Sequence, residues 1–287
     1  MPLAAPAALI FSGGGAKGAW EAGVAVALIE RGLPVRLVAG SSAGALNAAL
    51  VADGRLDRLP ALWRGVTREQ VYALRPAVFF AGLLPGWLTL LALDQAGSLL
   101  DPAPLRELIA ASVDFERVRV SPVELLVVAT DLARHGRRLF DNRTITVDAL
   151  MASAAVPGAF PPVTVDGTPL VDGGLTGRAP VLDALGLARP LARAVVVMSY
   201  TPDPAARTPS TARRLLEESM ELAMTHQIRR DVELARLRHP AVDVQLLAPS
   251  EPLALRPLDF EAESIARALT LGRADGARCL EAILGGR

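Results

Sequence analysis

Residues 35–52 read VRLVAGSSAGALNAALVA and join an apolar run to a Gly-x-Ser-x-Gly turn and a run of small helix-forming residues. A turn of this kind, from a buried strand into a helix, places the hydroxyl of its serine, Ser42, at a sharp corner. Gly40 and Gly44 remove the Cβ atoms that would clash there. Because a helix N-terminus favours negative charge, the corner suits a serine nucleophile. The alternative interpretation is a Gly/Ser-rich loop with a buried serine.

A second glycine cluster, Gly13-Gly14-Gly15-Ala16-Lys17-Gly18, follows the apolar run Ala8–Phe11 and precedes another helical pattern. Three consecutive glycines leave the backbone bare, so their N–H groups can approach an anion closely. Two such donors aimed at an acyl oxygen form an oxyanion hole. We therefore predict an oxyanion hole from the first three glycines, with the N–H of Ala43 as a further donor.

The same glycines also satisfy the G-x-G-x-x-G fingerprint of dinucleotide-binding proteins. That fingerprint requires an acidic residue about 20 positions later, at the end of the next strand. Here the strand ends in Val38-Ala39-Gly40-Ser41, without a carboxylate. A phosphate-binding P-loop requires Ser or Thr after its lysine, whereas Gly18 follows Lys17. A nucleotide-binding protein remains a distant alternative.

The chain has three histidines that could act as a base for the serine. His135 lies in a polar turn, His226 among the charged positions of a predicted helix, and His239 ahead of Pro240. None of these contexts points to the serine. We interpret all three as surface residues.

A carboxylate can replace histidine as the base when burial raises its pKa above the value of about 3.9 for free aspartate. The best candidate is Asp172, in the stretch Leu-Val-Asp-Gly-Gly at 170–174. Two apolar residues precede it, and Gly173 and Gly174 allow a tight turn beside another segment. The alternative interpretation is an ordinary Asp-Gly hairpin turn.

Strand and helix patterns alternate along the rest of the chain, which predicts an α/β fold, a three-layer α/β/α sandwich around a mainly parallel sheet. In such sheets, sites lie at the carboxyl ends of strands. The predicted strands are 8–11, 35–39, 125–130, 194–199 and 242–247. The predicted helices are 16–31, 43–53, 104–111, 146–154, 210–237 and 260–284.

The motifs together resemble the patatin-like phospholipase family. The resemblance rests on the order and spacing of the glycine loop at 13–18, Gly-Ser-Ser-Ala-Gly-Ala-Leu-Asn-Ala at 40–48, MASAAVPGAFPP at 151–162 and Asp-Gly-Gly at 172–174. It extends over residues 8–185. It implies one catalytic domain over residues 1–287, with a helical C-terminal part from about 209.

The resemblance implies a Ser–Asp dyad without histidine, in which Ser42 is the nucleophile and Asp172 is its base. It also implies an oxyanion hole at 13–15 and a supporting role for Lys17 at the family's usual basic position. The chain departs from the family at Arg178, where relatives often have asparagine. This departure affects the local turn rather than a catalytic group.

The implied function is a serine lipid acyl hydrolase, which cleaves fatty acyl esters of phospholipids or other lipids through an acyl-enzyme. Two alternatives keep the scaffold: a lipid transacylase that uses the same site with another acceptor alcohol, and a non-catalytic module that binds lipid or protein. No cofactor and no metal ion, calcium included, is implied.

The amino-acid composition argues against several other classes of function. Thirty acidic and thirty basic side chains cancel, which leaves no basic footprint for nucleic acid. Cys279 is the single cysteine, so an internal disulfide and a cysteine-based metal site are excluded. The first residues lack the basic region of a secretory signal. We expect a cytoplasmic protein, with or without peripheral membrane contact.

A stretch at about 75–101 is unusually apolar and carries no charge between Arg75 and Asp94. It approaches the length of a membrane span, but Pro85-Gly86 interrupts it. Three interpretations compete: buried helices, an apolar cap that binds the acyl chain, and a patch that docks on lipid.

Overall fold

The computed structural model describes residues 5–75, 98–187, 190–202 and 211–285. Of the apolar stretch predicted to form a cap or lipid-facing insertion, residues 76–97 lie outside the described residues, and its three interpretations stay open. Within the described ranges, no helix combines the length and the apolar character that crossing a bilayer requires.

Ten strands are found in the described residues. They are β1 (Ala7–Phe11), β2 (Val35–Gly40), β3 (Ala73–Leu74), β4 (Leu100–Asp101), β5 (Glu124–Asp131), β6 (Gly136–Asp141), β7 (Val163–Val165), β8 (Thr168–Asp172), β9 (Arg193–Val197) and β10 (Asp243–Leu247). Eight form one sheet in the order β10-β9-β1-β2-β5-β8-β7, with β6 paired to β5. The first five run parallel, whereas β6 and β8 are antiparallel to β5.

Helices flank this sheet. In the described residues they are α1 (Gly18–Glu30), α2 (Ala43–Ala52), α3 (Arg58–Gly65), α4 (Arg68–Val71), α5 (Ala103–Ser112), α6 (Phe115–Arg119), α7 (Val147–Ser153), α8 (Gly174–Gly177), α9 (Val181–Gly186), α10 (Ala212–Arg238) and α11 (Ala262–Gly285). A 3-10 turn at Gly15–Lys17 precedes α1. The C-terminal part consists of α10 and α11 with β10 between them.

The alternation of side chains along β1 divides the core into two layers. Leu9 and Phe11 pack in the layer that contains α1, α2 and α11. Ala8 and Ile10 face the other layer, which contains α9 and α10. The predicted α/β sandwich with a mainly parallel central sheet is therefore confirmed.

The last helix covers the first one at very short range. A Cβ on Gly272 would lie 2.1 Å from the backbone oxygen of Trp20, and one on Gly23 would lie 2.3 Å from that of Leu269. The indole N–H of Trp20 donates to Asp275 at 2.8 Å. The sheet covers one face of α1, and α11 covers the face that the sheet leaves open. As a result, α1 is buried on all sides over most of its length.

The sheet topology brings the two predicted catalytic segments to the same place. β6 pairs with one edge of β5, and both β2 and β8 pair with the opposite edge. β2 lies along the first half of β5, and β8 lies along the second half of β5. Gly40 at the end of β2 lies opposite Val127, and Asp172 at the end of β8 lies opposite Ala129. Since the two strands run in opposite directions, their carboxyl ends meet.

Candidate active site

Ser42 forms the corner between β2 and α2. Its backbone has φ 55° and ψ −129°, a conformation that is strained for a non-glycine residue. Its N–H donates to the carbonyl oxygen of Ser153 at 3.1 Å and to Oγ of Ser153 at 3.0 Å. A Cβ on Gly40 would lie 2.4 Å from the backbone oxygen of Gly44, so this corner requires glycine. The sequence motif thus forms the strained strand-to-helix turn that it predicts.

The glycine loop after β1 packs against this corner. A Cβ on Gly13, where φ is +71°, would lie 2.3 Å from the backbone oxygen of Ser41. A Cβ on Gly15, where φ is +60°, would lie 1.9 Å from the backbone oxygen of Pro257. Side chains are therefore excluded here by both backbone conformation and space.

Three of the four predicted oxyanion donors are available. In the described part of the chain, the N–H groups of Gly14, Gly15 and Ala43 donate to no protein acceptor. All three residues line the same cavity as Ser42. Ala43 is the first residue of α2, where an N–H has no partner within the helix. These three groups can donate to a negatively charged oxygen.

The fourth predicted donor, Gly13, requires a correction. Its N–H donates to Oε1 of Glu21 at 2.9 Å, so it is already engaged inside the protein. Glu21 also accepts from the Ser12 hydroxyl at 2.9 Å and from the Asn47 amide at 3.3 Å. Gly13 therefore contributes the shape of the loop, and we do not assign it as an oxyanion donor.

Asp172 lies at the end of β8 and is only 4% exposed. Its Oδ1 accepts from the N–H of Gly174 at 2.6 Å. Burial raises the pKa of the Asp172 carboxyl to about 6. The Gly174 N–H, Arg178 and the nearby hydroxyl of Ser42 oppose this rise. The chain leads from Asp172 into α8 rather than into the hairpin turn that was the alternative interpretation.

Ser153 connects the two segments predicted to be catalytic, and the sequence analysis did not single it out. Its carbonyl oxygen accepts from the N–H groups of Ser42 and Gly173, at 3.1 and 3.3 Å. Its hydroxyl donates to the backbone oxygen of Val128 at 2.6 Å. One residue at the end of α7 therefore ties the serine corner, the Asp-Gly-Gly segment and β5 together. The available signal was its place within the family-like stretch at 151–162.

The two basic residues that the sequence singled out share one carboxylate. Nζ of Lys17 lies 3.4 Å from Glu221, and Nη2 of Arg178 lies 3.3 Å from the same side chain. Burial lowers the pKa of Lys17, and the nearby Arg178 adds to this, while Glu221 opposes it. Lys17 also lies 5.4 Å from the centre of the Tyr200 ring. Arg178 lines the cavity of the serine, whereas Lys17 does not.

A cavity of about 1090 Å³ opens beside Ser42 and Asp172, which both line it. This volume lies at the upper end of the range for small-molecule sites, about 300–1,000 Å³. Its walls come mainly from α3, α4, α5, α10, the loop after α7 and the segment before α11, and its apolar lining includes Leu62, Trp63, Val66, Leu105, Ile109, Leu150 and Phe160. A ligand as large and apolar as a fatty acyl chain fits such a space.

None of the three histidines, all of which lie in the described residues, lines this cavity. His135 lies in the turn between β5 and β6, His226 is on an exposed position of α10, and His239 follows that helix. The interpretation of His135 and His226 as surface residues is confirmed, and His239 is half-buried outside the site.

The buried network around Glu21 yields a testable dependence of stability on pH. Burial raises the pKa of Glu21 to about 8. In the unfolded chain the pKa of Glu21 is near its usual value of 4.5. Between pH 4.5 and pH 8, the folded protein therefore holds a proton on Glu21 that the unfolded chain has lost. We expect the free energy of unfolding to fall by a few kcal/mol as pH rises through this window. Urea unfolding at several pH values, compared with Glu21→Gln, measures the effect.

In Glu21→Gln the side chain cannot ionise, so the slope of stability against pH between 4.5 and 8 should become shallower than in the wild type. Arg267→Gln provides a control, because it removes a charge from an exposed ion pair with Glu263, and its slope should match that of the wild type. An unchanged slope in Glu21→Gln would contradict the assignment.

Comparison with known proteins points to one family. The model of the family described as patatin-like phospholipase matches residues 9–185. An uncharacterised NTE family protein of Mycobacterium tuberculosis is 32% identical over 199 residues, which cover 69% of this chain and 51% of that protein. The chain thus spans about half the length of this relative.

Two further similarities are more distant. A patatin-like phospholipase domain-containing protein of Caenorhabditis elegans is 29% identical over 175 residues, which cover 60% of this chain and 12% of that protein. The crystal structure of VipD from Legionella pneumophila has a TM-score of 0.55 at 17% identity, covering 98% of this chain and 67% of that one. The likeness to VipD concerns the fold.

Proposed function

Because the chain belongs to the patatin-like phospholipase family, we propose that it is a serine lipid acyl hydrolase that cleaves fatty acyl esters of phospholipids or related lipids. The observation that carries this proposal is the shared cavity of Ser42, Asp172 and the N–H groups of Gly14, Gly15 and Ala43. A nucleophile, a base and oxyanion donors beside an apolar space are the parts that acyl transfer from a lipid requires.

In the proposed first step, Oγ of Ser42 attacks the ester carbonyl carbon while its proton passes to the Asp172 carboxylate. The carbonyl oxygen becomes an oxyanion that the three free N–H groups stabilise. Preorganised donors of this kind are typically worth about 3–4 kcal/mol each. When the tetrahedral intermediate collapses, the alcohol leaves with the proton from Asp172, and an acyl-enzyme on Ser42 remains.

In the second step, water attacks the acyl-enzyme by the same route. Asp172 accepts a proton from the water, and the same N–H groups hold the second oxyanion. The fatty acid then leaves, and the proton returns to Oγ of Ser42. The burial of the carboxylate supports this role, because a pKa of about 6 makes Asp172 a stronger base than free aspartate while leaving it ionised at neutral pH.

Labelling and product identification test the proposal. A fluorophosphonate should label the wild type at Ser42, and the pure protein should release free fatty acid from a mixed lipid extract. A binding module with an inert serine would not be labelled. A transacylase would instead transfer the acyl chain to added lysolipid or glycerol, and mass spectrometry of the products separates this reaction from hydrolysis.

We also propose that the mouth of the cavity contacts a lipid surface. Among the described residues, several exposed leucines line it: Leu74, Leu99, Leu175, Leu216 and Leu258. Exposed apolar side chains grouped around one opening are typical of contact with a membrane or a partner. A lipid surface is the partner that suits an enzyme whose substrate must leave a bilayer.

Leu216→Ser is expected to reduce hydrolysis of vesicle lipids several-fold while leaving hydrolysis of a soluble short-chain ester unchanged. Leu216 is 63% exposed at the cavity, so its loss removes apolar area without disturbing the core. Leu237→Ser is the matched control, since Leu237 is 79% exposed on the same helix but does not line the cavity. Equal effects of the two variants on vesicle lipids would contradict the proposed contact.

A further inference from the structure

Arg178 is a buried cation in the wall of the cavity. It follows α8, is only 8% exposed and lines the same space as Ser42 and Asp172. Its backbone oxygen accepts from the hydroxyl of Ser41 at 2.7 Å, which fixes it beside the serine corner. The backbone that carries the guanidinium is therefore held beside this corner.

The guanidinium is incompletely satisfied by the protein. Nη2 lies 3.3 and 3.5 Å from the two carboxylate oxygens of Glu221, a side chain that also neutralises Lys17. Nη1 donates to the sulfur of Met224. A thioether is a weak acceptor, whereas guanidinium groups prefer carboxylate or phosphate oxygens. One nitrogen of a buried cation thus points at a poor partner on the cavity wall.

The guanidinium also lies against the glycine loop. A Cβ on Gly14 would lie 3.1 Å from Nη2 of Arg178, so the absence of a side chain there leaves room for the cation. Gly14 is one of the proposed oxyanion donors. An anionic group on Nη1 of Arg178 would therefore lie close to the ester that Ser42 attacks.

Other cations do not fill this role. The ammonium of Lys17 faces Glu221 and the Tyr200 ring, and Lys17 does not line the cavity. Arg68 and Arg256 line the cavity but are exposed to solvent, which weakens their attraction for an anion. Among the described residues that line the cavity, Arg178 is the cation shielded from water.

We propose that Arg178 binds the phosphate group of a phospholipid substrate and thereby selects phosphate-bearing lipids over neutral glycerides. Nη1 exchanges the sulfur of Met224 for a phosphate oxygen, and the flexible methionine side chain moves aside. The ion pair of Nη2 with Glu221 is kept. This inference rests on the proposed function, since it names the substrate class of the same site.

The test compares two soluble substrates that differ only in a methyl phosphate: dihexanoylphosphatidylmethanol and dihexanoylglycerol. Arg178→Gln should lower kcat/KM for the phosphate lipid by about 10- to 100-fold relative to kcat/KM for the glyceride. A decrease of this size corresponds to the loss of one charged hydrogen bond. The change should lie mainly in KM. Arg178→Lys, which keeps the charge but not the planar fork, should give an intermediate loss.

Arg68→Gln is the matched control. It removes an exposed arginine that lines the same cavity, so the ratio of the two kcat/KM values should stay at the wild-type value. An equal loss on both substrates in Arg178→Gln would assign Arg178 to the oxyanion or to folding and would overturn the phosphate site.

Binding to a Ser42→Ala background separates this inference from the proposed function. Calorimetry with the same two lipids should show tighter binding of the phosphate lipid, and Arg178→Gln should remove the difference. Equal affinities in the Ser42→Ala protein would overturn the phosphate site. If neither lipid is hydrolysed by the wild type but the phosphate lipid binds more tightly through Arg178, only the proposed hydrolase function fails.

Discussion

Ser42→Ala and Asp172→Asn are each expected to lower kcat/KM for a fluorogenic fatty acyl ester by about a thousandfold or more. The first change removes the nucleophile, and the second removes the base while preserving the shape of the side chain. Losses of this size follow removal of single members of catalytic units in serine hydrolases. Thermal melting of both variants should show folded proteins, which assigns the loss to chemistry.

A histidine variant assayed in the same experiment tests whether the enzyme uses a Ser-His mechanism instead. His239→Ala should keep wild-type activity, because His239 does not line the cavity. If His239→Ala were as inactive as Ser42→Ala, a Ser-His hydrolase would replace the proposed dyad. Retention of activity in Asp172→Asn would equally contradict the role of Asp172 as the base.

The pH profile of the wild type gives an independent measure of this role. Asp172 must be ionised to accept a proton, and burial raises its pKa to about 6. kcat/KM should therefore rise with pH through a midpoint near 6 and fall away below it. A midpoint near 4 would indicate an unperturbed carboxylate instead.

The parts of the site that could be predicted from sequence are those that local residues encode. The loop at 13–15 and the corner at Ser42 depend on glycines next to apolar runs, and the structure forms both, although the N–H of Gly13 is engaged by Glu21. Asp172 was harder to assign, because an Asp-Gly pair alone also indicates a hairpin turn. Its place in the same cavity as Ser42 results from β8, a short strand antiparallel to β5 that no periodicity in the sequence indicated.

Glu21 shows why the rest could not be predicted. It follows Trp20 in a helix whose apolar residues indicated one face packed on the sheet, so a glutamate there suggests the solvent side. The structure buries it completely, because its carboxylate faces the glycine loop and α2, where it accepts from Ser12, Gly13 and Asn47. The Arg178–Glu221 pair is non-local in the same way, since it joins the segment after α8 to α10.

Gly13→Ala is expected to lower kcat/KM by about a hundredfold or more. The positive φ of Gly13 costs an alanine about 1–2 kcal/mol of stability. The larger effect comes from position: the new Cβ would lie 2.3 Å from the backbone oxygen of Ser41 and 3.2 Å from Cβ of Ser42. The serine corner must shift, and displacement of reacting groups by about 1 Å costs on the order of 100-fold in rate.

Gly167→Ala separates the two contributions. Gly167 has nearly the same backbone conformation, with φ +74°, but a Cβ there meets no atom within 4 Å. Both variants lose stability from the strained backbone, and Gly13→Ala loses more through its clash with Ser41. When both are assayed well below their melting temperatures, only Gly13→Ala should lose activity. If Gly13→Ala retained wild-type kcat/KM, the loop would not be packed against the nucleophile as described. The matched pair thus measures how far the catalytic geometry depends on a bare backbone at residue 13 rather than on overall stability.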